Sequence, residues 1–188
     1  MTIRIISGNL KGKKINHVKN SITRPLKDSV RENIFNILMH SNFINIKLDG
    51  SKVLDLYSGV GSFGIECISR GAEKVTFVEK DNLAIMTLKK NLLNLSIIEK
   101  AKIFDEKIER VLKKKFVQKF NIFFLDPPFQ DYEFIKNLVL IKKENLFAPD
   151  HVVIIHREKG KLDNFSKVID IIDSKEYGRS KIIFGNFN

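Results

Sequence analysis

Short apolar runs alternate with amphipathic segments along most of the chain from Lys52 onward. The runs that read as strands are KVLDLY, KVTFVE, AKIF, FNIFFLD and HVVIIH. They are apolar almost throughout, which is typical of strands whose two faces are both covered by helices. The segments that read as helices are SFGIECISR, NLAIMTLKKNLLNL, a basic stretch near 106–118 and one near 131–143. This alternation predicts an α/β fold built on a doubly wound, mostly parallel sheet.

The two ends of the chain follow different patterns. KVIDIID and KIIFGNF flank the turn-like SKEYGRS and predict an antiparallel hairpin at the end of the sheet. Near the start, RIISGNLKGKKINHV has short β-like runs interrupted by Gly8 and Gly12, which predict a small basic hairpin. The chain is therefore expected to divide into a basic N-terminal extension, residues 1–50, and an α/β domain, residues 51–188.

The segment DSVRENIFNILMH predicts an amphipathic helix after Pro25. Its apolar face comprises Val30, Ile34, Phe35, Ile37 and Leu38. Ser29 and Glu32 have the spacing of a capping box at the start of this helix. Arg31 is expected to project from its first turn.

The bulk composition limits the classes of protein to consider. At 188 residues the chain has the size of one domain with a full hydrophobic core. Its start lacks the apolar stretch of a signal peptide, and no apolar run is long enough to cross a bilayer. The single cysteine, Cys67, excludes an internal disulfide, and the four histidines show no metal-ligand spacing. We predict a cytoplasmic monomer that binds neither a membrane nor a metal.

The positive charge is concentrated near the start of the chain. The net charge is +11, and residues 1–35 hold eight basic residues against two acidic ones, a local excess of +6. A basic segment of this kind favours contact with a polyanion such as a nucleic acid. Drifting codon usage, which would enrich the chain in Lys, Ile, Asn and Phe together, is the alternative explanation.

The first strand–helix turn, DLYSGVGSFG, matches the pattern G-x-G-x-x-G at Gly59, Gly61 and Gly64. Glycines at these positions let the backbone turn tightly and approach a ligand without an intervening Cβ atom. Glu79 lies at the end of the next strand, twenty residues after Gly59. A carboxylate at that position can accept hydrogen bonds from both hydroxyls of a ribose. The pattern predicts a cofactor that contains a nucleoside.

Two cofactor classes are compatible with this turn. A dinucleotide-dependent dehydrogenase needs a second mononucleotide-binding half and a substrate domain, and the residues after Glu79 are too few for both. A methyltransferase that uses S-adenosylmethionine needs only one domain. It also explains Asp55, an acid inside a strand, because the ammonium and the sulfonium of this cofactor are positive. The alternative is that Asp55 is a core acid or caps a loop.

The strand NIFFL ends on Asp126, Pro127, Pro128 and Phe129. Ligands of doubly wound sheets bind beyond the carboxyl ends of the strands, so this corner is expected beside the glycine turn. A rigid carboxylate and a backbone carbonyl there can accept the two N–H bonds of an aromatic amine while Phe129 stacks on its ring. The corner therefore predicts a clamp that holds a nucleobase amine in line with the methyl group of the cofactor. A rigid turn capped by Asp126 is the alternative.

With these motifs the chain resembles a known family. DLYSGVGSFGIE, VEKD and DPPF are similar to motifs of amino-methylating, Rossmann-like class I methyltransferases that use S-adenosylmethionine. RIISGNLKGKKI, RPLKDSVRENIFNIL and YGRSKIIF resemble segments of the bacterial 16S ribosomal RNA guanine-N2 methyltransferases of the RsmD type. The resemblance implies a seven-stranded sheet with an antiparallel last strand. It also implies methylation of one guanine, guanine 966, in 16S ribosomal RNA of the assembling small subunit.

The resemblance and the charge pattern together assign site residues. The catalytic corner is Asp126, Pro127, Pro128 and Phe129. The expected cofactor-binding residues are Asp55, Tyr57, Ser58, Gly59, Gly61, Gly64, Glu79, Lys80 and Asp105. The expected RNA-binding residues are Lys11, Lys13, Lys14, Arg24 and Arg31. Lys107 departs from the family, which usually has an acid or amide there against the adenine, and a small register shift would give this contact to Asp105.

Three other functions are compatible with parts of the pattern. A DNA amino-methyltransferase shares the clamp, but the 59 residues after Phe129 leave no room for a target-recognition domain. A protein-glutamine methyltransferase usually has Asn where this chain has Asp126, and it lacks the basic arm. A non-catalytic RNA-binding factor of ribosome assembly would not need Asp126, Glu79 and the three glycines.

Overall fold

The computed structural model describes residues 2–18, 26–165 and 167–188. A separate antiparallel hairpin near the start consists of β1 Thr2–Arg4 and β2 Lys14–Asn16. Among the described residues, seven strands form the main sheet: β3 Lys52–Leu56, β4 Lys74–Val78, β5 Ala101–Phe104, β6 Phe120–Leu125, β7 Phe147–Glu158, β8 Ile169–Tyr177 and β9 Ser180–Phe187. The helices are α1 Asp28–His40, α2 Ser62–Ser69, α3 Asn82–Asn94, α4 Ile108–Leu112 and α5 Phe134–Lys143, with a 3₁₀ turn at Ile98–Lys100. No helix in these ranges is both long and apolar enough to span a bilayer.

The main sheet has the strand order β5-β4-β3-β6-β7-β9-β8. Strands β3 to β7 run parallel, and β9 pairs antiparallel with both β7 and β8. The order reverses between β3 and β6, so their carboxyl ends form the switch point where ligands bind in such sheets. The predicted doubly wound, mostly parallel seven-stranded sheet with an antiparallel last strand is confirmed.

Helices cover both faces of the main sheet. Successive strand residues point to opposite faces, as in β3, where Val53 belongs to one apolar cluster and Leu54 to the other. Helices α1, α2 and α3 pack on the first face, where Phe35 and Phe63 stack with their ring centroids 5.2 Å apart. Helices α4 and α5 pack on the second face. Because each central strand is covered on both sides, its sequence is apolar almost throughout.

The basic hairpin packs onto the first face of the α/β unit. Three of its apolar residues are buried in the cluster of that face: Ile3, Ile5 and Ile15. Glu66 of α2 is also buried, and its carboxylate accepts hydrogen bonds from the backbone N–H groups of Ile6 and Ser7 at 2.8 and 2.9 Å. The hairpin therefore shares a core with the α/β unit.

The turn of the hairpin offers a direct test of this packing. A Cβ atom on Gly8 would lie 1.8 Å from the carbonyl oxygen of Ser69, whereas one on Gly12 would meet nothing within 4 Å. Both glycines have positive φ, so alanine strains the backbone by about 1–2 kcal/mol at either position. We expect Gly8→Ala to lower the free energy of unfolding by about 1–3 kcal/mol more than Gly12→Ala, as measured by urea denaturation. Equal losses would show that this turn is not fixed against α2.

Two helices differ from their sequence-based predictions. Helix α1 begins at Asp28, and its N-cap residue Lys27 makes no side-chain capping bond. The predicted capping box is therefore wrong, because Ser29 lies inside the first turn. The basic helix predicted near 106–118 is limited to α4. After it the chain turns toward β6, and Phe116 packs edge-on against Phe120 with the ring centroids 5.4 Å apart.

Arg31 points into the protein rather than away from α1. Its side chain is fully buried, and Nη2 donates to the carbonyl of Arg4 at 2.5 Å and to the Asp28 carboxylate at 3.0 Å. Its Nε lies 4.0 Å from the Glu66 carboxylate. This burial contradicts the prediction that Arg31 contacts RNA phosphates. The guanidinium instead connects β1, α1 and α2.

Candidate active site

The loop between β3 and α2 turns tightly at the carboxyl edge of the sheet. Tyr57, Gly59 and Gly61 have positive φ angles of 59°, 54° and 85°, a conformation that glycine adopts at little cost. A Cβ atom on Gly59 would meet nothing within 4 Å, so this residue faces open space. The backbone at Gly59 is therefore accessible to a ligand.

The other two motif glycines allow close packing. A Cβ atom on Gly61 would lie 2.4 Å from Leu88, and one on Gly64 would lie 2.3 Å from the ring of Phe77. Both neighbours are fully buried, so α2 can approach β4 and α3 only because these two residues have no side chain. The prediction that they also contact the cofactor stays a prediction.

Asp55 is a buried acid beneath the glycine loop. It is 1% exposed, and Oδ2 accepts a hydrogen bond from the Gly64 N–H at 3.0 Å. Among the described residues, Oδ1 of Asp55 and Oγ of the buried Ser58 have no hydrogen-bond partner. Burial raises the pKa of Asp55 well above its ordinary value, although the Gly64 N–H opposes this. Asp126 and Glu79, which follow the two strands that pair with β3, raise this pKa further.

Glu79 follows β4 and holds neighbouring backbone segments together. Its Oε2 accepts a hydrogen bond from the Gly59 N–H at 2.8 Å. Its Oε1 accepts from the N–H groups of Lys80 and Asp81 at 2.8 and 2.9 Å. These three bonds leave one lone pair free, on Oε2, so the carboxylate can still accept a hydrogen bond from a ribose hydroxyl. The carboxylate is thus fixed beside the exposed part of the glycine loop.

Asp126 follows β6 at the same edge. Its N–H donates to the carbonyl of Leu56, the last residue of β3, at 3.5 Å. Its side chain is 28% exposed, and Oδ1 lies 2.7 Å from Nδ1 of His156. The half-buried ring of Phe129 meets the His156 ring edge-on, with the centroids 5.5 Å apart. The Asp126 carboxylate is therefore accessible to solvent, while His156 holds one of its oxygens.

Arg157 follows His156 in β7 and fixes the backbone at Pro128. Its buried guanidinium donates to the Pro128 carbonyl at 3.2 Å and to Asp163 at 2.8 and 3.2 Å. The Pro128 carbonyl also accepts from the N–H of Asp131 at 2.8 Å. Together with the fixed φ of the two prolines, these bonds immobilise the backbone after Asp126.

Tyr57 connects the glycine loop to the segment after Phe129. Its hydroxyl donates to Oδ2 of Asp131 at 3.1 Å and accepts from the side-chain amide of Asn137 at 3.0 Å. Burial raises the pKa of Tyr57 above its ordinary value, and the Asp131 carboxylate adds to this shift. The hydroxyl therefore stays protonated as a donor, and the two loops are tied together.

Asn91 of α3 joins the basic hairpin to the glycine loop. Its side chain accepts from the N–H of Asn16 at 2.8 Å and donates to the carbonyl of the same residue at 3.0 Å. It also donates to the carbonyl of Val60 at 3.3 Å. The turn of the hairpin instead packs on Ser69, the last residue of α2. By the helical rise, Ser69 lies about 12 Å from the glycine loop at the start of α2.

Most of the site residues predicted from sequence lie at one edge of the sheet. The residues that follow or end β3, β4 and β6 are Asp55, Tyr57, Ser58, Gly59, Glu79, Lys80, Asp126, Pro127, Pro128 and Phe129. Asp105 is exposed directly after β5, which pairs with β4, and its adenine contact stays a prediction. Lys11, Lys13 and Lys14 are exposed on the hairpin, away from this edge, and Arg24 lies outside the described residues.

Sequence reasoning missed Glu66, Asn91, His156 and Arg157. All four are buried polar residues, and each has at least one hydrogen-bond partner that is distant along the chain. A signal for the last two was available, because they end an apolar strand at its carboxyl edge, where ligands bind. Glu66 and Asn91 interrupt the apolar faces of two helices, which also indicates a buried polar contact.

This arrangement fits S-adenosylmethionine. Its ammonium and sulfonium suit an edge that presents three acids, among them the unpartnered Oδ1 of Asp55. Its ribose suits Glu79, and the open space at Gly59 admits a ligand close to the backbone. When bound there, the cofactor would supply an electrophilic methyl group.

Known proteins are similar to this chain over most of its length. The model of the family described as "Conserved hypothetical protein 95" matches residues 3–186. "Ribosomal RNA small subunit methyltransferase D" of Haemophilus influenzae is 35% identical over 161 residues, which is 85% of this chain and 80% of that protein. The protein of the same name from Escherichia coli is 30% identical over 156 residues, 83% of this chain and 75% of its own. The solved structure of "Putative methyltransferase yhhF" from Escherichia coli is similar with a TM-score of 0.84 and 26% identity, covering 100% of this chain and 99% of that one. The chain therefore belongs to the Conserved hypothetical protein 95 family, as an S-adenosylmethionine-dependent methyltransferase of the RsmD type.

Proposed function

We propose that this chain transfers a methyl group from S-adenosylmethionine to the N2 amine of a guanine in 16S ribosomal RNA. The names of its relatives support ribosomal RNA as the substrate. The observation that carries the choice of an amine is the immobilised corner after β6, with the Asp126 carboxylate beside the open glycine loop. Guanine, and its position 966, are taken from the resemblance to the family.

The residues of the corner have separate roles in this proposal. The Asp126 carboxylate accepts one N–H of the amine, and the Pro127 carbonyl accepts the other. Drawing both hydrogens to these acceptors localises the nitrogen lone pair, and Phe129 stacks on the base. Because the prolines and Arg157 fix the backbone, the acceptors need no reorganisation in the transition state. The proton that the nitrogen must lose after methylation leaves toward Asp126.

Ribosomal RNA from cells that lack this chain tests the proposal. Mass mapping of their 16S ribosomal RNA should show one guanine without its methyl group. The purified chain with S-adenosylmethionine should restore that group on small subunits isolated from the same cells. A missing methyl on another base, or none missing at all, would overturn the choice of guanine N2. Comparison of naked 16S RNA with assembling and mature subunits would identify the form of the substrate.

We further propose that the hairpin lysines extend the RNA contact beyond the active site. Lys11, Lys13 and Lys14 are exposed on the hairpin that packs against α2. Because residues 63–69 of α2 are buried, an RNA strand that reaches Asp126 would meet these lysines on the surface of the hairpin. The division of labour between residues 1–50, for RNA contact, and residues 51–188, for transfer, belongs to the same proposal. Action as a monomer is also part of this proposal, and light scattering of the purified chain would check it.

Replacing the three lysines by alanine should weaken RNA binding and reduce its salt dependence. For each RNA phosphate that the variant no longer neutralises, the slope of log K against log salt should become flatter by roughly 0.7–0.9. A matched control removes three charges from the opposite face of the sheet. It replaces Lys113, Lys114 and Lys115, which follow α4 and are exposed. If both triple variants change the slope equally, the hairpin is no preferred RNA-binding surface and the positive charge acts only in bulk.

A further inference from the structure

We propose that His156 is a positioning residue for methyl transfer, because it holds the Asp126 carboxylate in the orientation that receives the amine. This inference rests on the proposed function, in which Asp126 accepts an N–H of the substrate. His156 itself does not touch the reacting atoms and acts through the acid.

Both ring nitrogens of His156 have partners that fix the imidazole. Nδ1 lies 2.7 Å from Oδ1 of Asp126, and Nε2 lies 2.9 Å from the hydroxyl of Ser180. With a carboxylate at Nδ1, a neutral ring carries its proton there and donates to Asp126, while the Ser180 hydroxyl donates to Nε2. The Asp126 carboxylate, which can only accept, thus selects this tautomer, and the Ser180 hydroxyl, which can donate or accept, is compatible with it.

The histidine is the rigid member of the pair. It is 7% exposed, and it sits in a strand that pairs with β6 on one side and β9 on the other. Asp126 lies just beyond the end of β6 and is 28% exposed, and its backbone N–H makes a long 3.5 Å bond to β3. Because the imidazole occupies Oδ1, the other oxygen of the carboxylate remains for the substrate.

Electrostatics give Asp126 a reason to need this contact. Asp126 and Glu79 both act on the buried Asp55, which places three acids within electrostatic range. Repulsion between carboxylates favours rotation of the partly exposed Asp126 side chain toward water. A hydrogen bond from His156 opposes that rotation and keeps Asp126 at the edge of the site.

Three substitutions separate the hydrogen bond from the packing of the ring. In His156→Asn the side-chain amide nitrogen takes the place of Nδ1, so the bond to Asp126 can persist. In His156→Gln the amide nitrogen takes the place of Nε2, so the bond to Ser180 can persist while that to Asp126 is broken. His156→Phe keeps a ring against Phe129 but removes both donors.

We expect kcat for methyl transfer to fall on the order of 10²-fold in the Gln and Phe variants, as for a displaced catalytic group. The Asn variant should stay within a few-fold of the wild type, and KM for S-adenosylmethionine should be similar in all three. Equal losses in Asn and Gln, or full activity in Phe, would overturn the proposal. The substrate is the small subunit from cells that lack this chain.

His151 provides a matched control on the same strand. It is similarly buried, its Nδ1 lies 2.8 Å from the Ala148 carbonyl, and its Nε2 accepts from the Phe187 N–H at 2.9 Å. It lies near the start of β7, at the end of the strand away from Asp126. His151→Gln should lower stability without lowering kcat of the folded fraction. An equal loss of kcat there would mean that any buried histidine of β7 matters only for folding.

A spectroscopic measurement separates this inference from the proposed function. A hydrogen-bonded imidazole N–H gives a proton NMR signal at low field, which should be present in the wild type and absent in Asp126→Ala. If the signal is present but no guanine is methylated, the proposed function fails and the hydrogen bond stands without its role. If a guanine is methylated but the signal survives in Asp126→Ala, the proposal for His156 fails alone.

Discussion

Asp126→Ala is expected to lower kcat for methyl transfer to ribosomal RNA about 10²–10³-fold, that is by about 2.7–4 kcal/mol, by analogy with the loss of one preorganised hydrogen-bonding group. The dissociation constant for S-adenosylmethionine should change by much less, because Asp55 and Glu79 remain. The physical reason is that the acid is held ready by His156, so it stabilises charge that develops on the amine only in the transition state. Single-turnover transfer of a labelled methyl group, beside calorimetric titration of the cofactor, measures both quantities.

Asp126→Asn is the graded control for this prediction. The amide oxygen can still accept one N–H, but its neutral group cannot take the proton that the nitrogen must lose. We expect an activity between those of wild type and Asp126→Ala. If the alanine variant turns over nearly as fast as the wild type, the corner after β6 is a rigid turn and the amine clamp lies elsewhere.

The fold could be predicted because each central strand is apolar on both faces. That pattern depends only on layers of helices above and below the sheet. The predicted bounds of β3, β4 and β5 lie within one or two residues of the observed ones. Helix α4 could not be bounded in this way. Its end is set by the packing of Phe116 on Phe120 rather than by local preference, and the lysines that follow are compatible with either state.

Arg31 shows how charge can mislead where periodicity is informative. Arg31, Ile34, Phe35 and Leu38 are spaced as one helical stripe, and all four are buried. The spacing therefore placed the arginine on the inner face, while its charge suggested the surface. A buried guanidinium needs specific partners, which here are the Arg4 carbonyl and two acids.

The candidate site also has residues that the sequence predicts and residues that it does not. Asp55, Gly59, Glu79 and Asp126 were predictable because the topology of a doubly wound sheet brings the ends of its strands together. The residues that hold them were not, since His156 is thirty residues from Asp126 and Asn91 is seventy-five from Asn16. Such partners depend on which strands and helices become neighbours, which local sequence does not specify.

Asp55→Asn is expected to raise the free energy of unfolding at neutral and alkaline pH while it weakens cofactor binding. Burial raises the pKa of Asp55 in the folded chain above the value in the unfolded chain. Between those two values the native state binds more protons, so stability falls as pH rises through that window and stays lower above it. A neutral asparagine removes this dependence and can still accept from the Gly64 N–H. Urea denaturation across a pH series measures the change.

The same substitution should lower affinity for S-adenosylmethionine on the order of 10–100-fold, since a hydrogen bond to a charged group contributes about 1.5–3 kcal/mol. Asp150→Asn is a suitable control, because it removes an exposed carboxylate near the start of β7, away from the site. It should not lower affinity for the cofactor, and it should not raise stability at alkaline pH as Asp55→Asn does. Asp55 would be only a core acid if its asparagine variant gained stability and bound the cofactor as well as the wild type. A stability gain together with reduced affinity means that this acid is kept for the ligand at a cost to the fold.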